Sequence, residues 1–95
     1  MQVNATLYFT LAHMPDVEPE HVSKIMHLIR ERQKIGEQKY GHSIDRDDLT
    51  REEWLQHLLE EMLDGAQYAV KANEPTFART LLSMAAAIIE EQESI

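Results

Sequence analysis

The chain has 95 residues, is 43% hydrophobic, and carries 17 acids against nine Lys and Arg, for a net charge of −8. That length allows one domain at most, and the apolar content is too high for a disordered segment. The acidic balance excludes a general nucleic-acid binder, which needs a basic footprint to displace counterions. With no cysteine, disulfides and thiolate metal sites are excluded, and a reducing cytoplasm is the expected location.

The N-terminus, M-Q-V-N-A-T-L-Y-F-T, lacks the basic-then-apolar order of a signal peptide. No apolar run approaches the length of a membrane span, so no membrane partner is expected. Only three Gly and three Pro interrupt the chain, which favours long helices. Residues 3–11 alternate strictly: Val3, Ala5, Leu7, Phe9 and Leu11 are apolar, with Asn4, Thr6, Tyr8 and Thr10 between them. Period two is a strand signal, and residues 1–14 are expected to form an extended arm or strand. No second strand follows, so such a strand needs the same strand of another subunit as its partner; a short helix is the other reading.

Met14-Pro15-Asp16 is a turn. Pro19 suits the first turn of a helix and Glu20 complements its dipole. This helix is expected over 19–40, with Val22, Ile25, Met26, Ile29 and Gln33 as its inner stripe, continued by Gly36 and Tyr40. Gly36 marks either a close approach or a weak spot costing about 1 kcal/mol relative to Ala. Gly41 ends the helix. Residues 41–49 then form a loop carrying Asp45, Arg46, Asp47 and Asp48, either a solvated connector with Asp48 assisting the next helix start or, being slightly longer than the usual helix–helix connection, a place for functional residues.

Thr50-Arg51-Glu52-Glu53 is a capping box, so a second helix is expected over 50–72. A third follows Pro75, over 75–93, and is apolar almost all round: Phe77, Ala78, Leu81, Leu82, Met84, Ala85, Ala86, Ala87, Ile88 and Ile89. Three helices in one short chain cannot cover that surface, which points to a homo-oligomer. The expected fold is all-α: a three-helix antiparallel bundle subunit with a short extended N-terminal segment, assembled as a dimer or tetramer.

Chemistry is concentrated on the helix over 50–72. At about 100° per residue, Leu55, Leu58, Leu59, Met62, Leu63, Ala66, Ala69 and Val70 fall on one side. Glu53, His57, Glu60, Glu61, Asp64, Tyr68 and Lys71 fall on the other. Glu53 belongs to the cap. Glu60, Glu61 and Asp64 form E-E-x-x-D, and residues three apart project from neighbouring turns of one face. Glu61 and Asp64 are thereby placed to share a hard cation through oxygen ligands. The ordinary reading of such a stripe is the solvated side of a surface helix. Two features weigh against it: no Lys or Arg interrupts the acids between Glu52 and Val70, and Gly65, inside a strong helix, suggests that something comes close.

The segment L-L-E-E-M-L-D, Leu58 to Asp64, resembles the metal-binding helix of the all-α nucleoside triphosphate pyrophosphohydrolases, the MazG-like superfamily. E-R-Q-K-I-G-E-Q-K-Y-G (Glu31 to Gly41), D-R-D-D-L-T (Asp45 to Thr50) and E-W-L-Q-H-L-L-E-E-M-L-D (Glu53 to Asp64) are similar to small MazG-like proteins often encoded by bacteriophages. The resemblance implies an Mg²⁺- or Mn²⁺-dependent hydrolase that releases pyrophosphate from an NTP or dNTP and leaves the monophosphate. It implies Glu61 and Asp64 as metal ligands, and Glu60 as a ligand or an aid to water activation. Lys39, Arg46 and Lys71 become candidates for phosphates, and Tyr40, Trp54, Tyr68 and His57 for the rest of the nucleotide, with Tyr40 and Trp54 otherwise core residues. Family members carry a second acidic pair, whereas this chain has one clear motif. The last helix offers only Glu90-x-x-Glu93, and the first Glu31 and Glu37, which do not make E-x-x-D; the other half would come from Glu31 or Glu37, from another subunit, or be absent, which would leave no hydrolysis. The alternatives are a nucleotide-sequestering protein without catalysis and a helical oligomer that binds another protein.

Overall fold

The computed structural model describes residues 2–94, and of Tyr40 the backbone alone. It is all-helical, with four helices and, among the described residues, no strand: α1 (Val3–Ala12), α2 (Pro19–Tyr40), α3 (Arg51–Lys71) and α4 (Pro75–Glu93). Among the described residues, no helix is long and apolar enough to cross a membrane. The chain divides into two compact units, Met1–Asp47 and Asp48–Ile95. In the first, α1 lies against α2; in the second, α3 lies against α4.

The expected N-terminal strand or extended arm is a helix, α1. The alternating pattern contains Val3, Leu7 and Leu11, four residues apart, which is also helical spacing. Leu11 is buried and Val3, Asn4 and Tyr8 are half-buried, whereas Ala5, Leu7 and Phe9 are exposed, so the inner stripe runs through Asn4, Tyr8 and Leu11 at helical spacing. A helix satisfies its backbone groups internally, whereas a lone strand leaves them without partners. Asp45, far along the chain, accepts a hydrogen bond from the Val3 N–H at 2.8 Å and so caps the start of α1. At the other end the His13 Nδ1–H donates to the Phe9 carbonyl (2.8 Å), and the two rings stack with centroids 4.3 Å apart.

α2 begins at Pro19 with Glu20 in its first turn and ends at Gly41, whose φ of 71° is the left-handed conformation that favours glycine. The Gly41 N–H donates to the Glu37 carbonyl at 2.8 Å. Val22, Ile25, Met26, Ile29 and Gln33 are half-buried. Gln33 earns its place on that face by polar contact: the Asn4 side-chain amide donates to its Oε1. The Arg30 guanidinium sits 6.0 Å from the Tyr8 ring centroid, at the outer limit of a cation–π contact. These pairings run α1 antiparallel to α2. At Gly36 an added Cβ would meet nothing within 4 Å, so this glycine is a weak spot and not a point of close approach.

α3 and α4 form an antiparallel hairpin. Arg51, at the start of α3, pairs with Glu91 near the end of α4 at 3.0 Å, and Gln92 donates to Gln56 at 2.9 Å. The turn between them meets the Schellman pattern: Asn73 takes φ 58°, its N–H donates to the Val70 carbonyl (3.0 Å), and the Glu74 N–H donates to the Ala69 carbonyl (2.8 Å). Asparagine tolerates this conformation better than most residues. The seam is narrow because it is lined with small side chains. Ala66, Ala69, Ala78 and Ala85 are buried, and Leu59 and Ile88 are the larger members of the core, with Leu55 and Met62 packed on them.

Candidate functional site

The acidic face is built on α3, and the helix start sorts its residues. Thr50 Oγ1 accepts from the Glu53 N–H at 3.1 Å, and Glu53 Oε1 accepts from the Thr50 N–H at 3.1 Å. This reciprocal pair satisfies two orphan donors of the first turn and fixes Glu53 in a structural position. The remaining stripe, His57, Glu60, Glu61, Asp64, Tyr68 and Lys71, is exposed along its length. His57 sits beside two neighbours. Its Nδ1 lies 3.9 Å from Glu60 Oε1, and its ring centroid lies 5.9 Å from that of half-buried Trp54. None of these residues is recruited into the packing of α4.

Gly65 has a different partner from the one its position suggested. A Cβ there would stand 3.2 Å from Leu81 Cδ1 of α4. The close approach is helix against helix, and the glycine is explained by the seam. The acids have no such explanation. Between Glu52 and Val70 no Lys or Arg offsets them, and His57 is the neighbour within ion-pair reach.

The other expected site residues lie elsewhere in the chain. Lys39 is in the last turn of α2, and half-buried Arg46 is in the loop that follows; both belong to the first compact unit. The Tyr40 side chain lies outside the described residues. Lys71 is the last residue of α3, where a cation complements the helix dipole. Tyr68 is 72% exposed, so its ring is available rather than packed.

Among the described residues, no three His, Asp or Glu side chains converge closely enough to hold a metal ion by themselves. The donor chemistry still suits a hard cation. Mg²⁺ takes one or two protein carboxylates and completes its octahedron with waters and substrate phosphates, and Glu61 and Asp64 on adjacent turns can supply two.

Asp45 has a role that its sequence context concealed. The loop reads as a solvated acidic connector, yet Asp45 is half-buried, accepts from Val3, and is itself held by the Ser43 hydroxyl, which accepts from the Asp45 N–H at 3.1 Å. The Ser43-Ile44-Asp45 spacing was the available signal, since a serine hydroxyl two residues before an N–H favours a local turn.

The chain matches no family model, no curated protein and no solved structure.

Proposed function

We propose that this chain is the subunit of a homo-oligomeric, Mg²⁺- or Mn²⁺-dependent nucleoside triphosphate pyrophosphohydrolase. Its reaction consumes one water and one NTP or dNTP and gives the monophosphate and pyrophosphate. The observation that carries this reading is the exposed E-E-x-x-D face of α3, left unused by the fold and without an interleaved base. The MazG-like resemblance of the segments around it supports the same chemistry.

Glu61 and Asp64 hold the cation in this reading, which when bound neutralises phosphate charge and activates water. Glu60 is a further ligand or aids the activation of water, and His57, whose Nδ1 lies 3.9 Å from Glu60 Oε1, takes part in binding the nucleotide. Lys39, Arg46 and Lys71 bind phosphates, and Tyr40 and Tyr68 bind the base or ribose. The subunit is an all-helical chain within a dimer or tetramer, acting in the cytoplasm (a host's, where a phage encodes it). Oligomerisation is supported by the large apolar residues that α4 leaves exposed, Phe77, Leu82, Met84 and Ile89. It also provides the missing second set of acids from a neighbouring subunit.

The test is to incubate the purified chain with each NTP and dNTP plus Mg²⁺ or Mn²⁺ and measure pyrophosphate. Release that falls roughly 100-fold or more in Glu61→Ala and Asp64→Ala is expected, on the scale of removing one charge-stabilising group from an active site. No pyrophosphate from any nucleotide, or undiminished release by both variants, overturns the proposal. Tight nucleotide binding without turnover identifies the sequestering alternative instead.

A further inference from the structure

We draw no further inference here: the strongest candidate, the open apolar groove between α3 and α4 lined by Leu63, Ala66, Gln67, Val70, Ala78 and Leu82, carries none, because nothing in the structure shows what covers it.

Discussion

The Asp45 carboxylate reaches back 42 residues to accept the Val3 N–H at 2.8 Å. A loop residue thereby performs the work of an N-terminal cap for a helix that has no capping side chain of its own at Gln2. The first N–H groups of a helix lack intrahelical acceptors, and a negative charge there also meets the positive end of the dipole. Asp45→Ala should therefore destabilise the first compact unit by about 1 kcal/mol, within the range for lost caps. Asp45→Asn keeps an acceptor oxygen and should lose less. Hydrogen exchange at the first turn of α1 measures both, and equal protection in wild type and Asp45→Ala would refute the cap.

Glu53 and Glu61 lie on the same side of α3 but should respond oppositely to truncation. Glu53→Ala breaks half of the capping box and should lower the melting temperature, as should Thr50→Ala, by about 1 kcal/mol for the latter. Glu61→Ala removes an exposed charge from a crowded acidic face, where like charges one turn apart oppose each other by a few tenths of a kcal/mol. It should leave the melting temperature unchanged or slightly raised while abolishing metal-dependent turnover. Thermal melts of the three variants, paired with pyrophosphate assays, separate structural acids from functional ones.

The two helical glycines offer a graded comparison. Replacing a helix-interior Gly by Ala gains about 1 kcal/mol of intrinsic propensity. Gly36→Ala meets open space and should realise that gain. Gly65→Ala sets a methyl 3.2 Å from Leu81 Cδ1, so the half-buried leucine must move by a few tenths of an ångström. Its gain should be smaller, because part of it is offset by the displaced contact. Chemical denaturation that ranks Gly65→Ala above Gly36→Ala would contradict the seam as described.

Ile88 and Ile89 are adjacent and chemically identical, yet one is 5% exposed and the other 41%. Ile88→Ala removes a core side chain beside Leu59 and Ala85 and should cost about 2–5 kcal/mol, a large share of a small domain's stability. Ile89→Ala should cost well under half as much at a protein concentration too low for assembly. Denaturation midpoints of the two variants test which face of α4 points inward.

Helix starts and stops were the most legible features of the chain because each rests on local chemistry. Pro19, Gly41, the Thr50–Glu53 box and Pro75 act within a few residues of themselves, and their signals survive whatever packs around them. Residues 3–11 misled because a pattern of period two also contains one of period four; burial of Leu11 and exposure of Phe9 resolve it, and both depend on tertiary contacts with α2. Asp45 was opaque for the same reason, since its partner is 42 residues away. The acidic face was visible as a pattern, but its consequence depends on groups brought to it from other parts of the chain or from another copy. Spacing along one helix carries no information about those.

The turn at Asn73 bears on the order of events during folding. Three residues, Ala72 to Glu74, join two long helices, so the entropy lost in bringing α3 onto α4 is small. Helical elements with such local connections pair on the microsecond-to-millisecond scale. The carboxylates of Glu60, Glu61 and Asp64 project from a hairpin whose partner helix is its immediate neighbour in sequence, and whose turn is set by the left-handed Asn73.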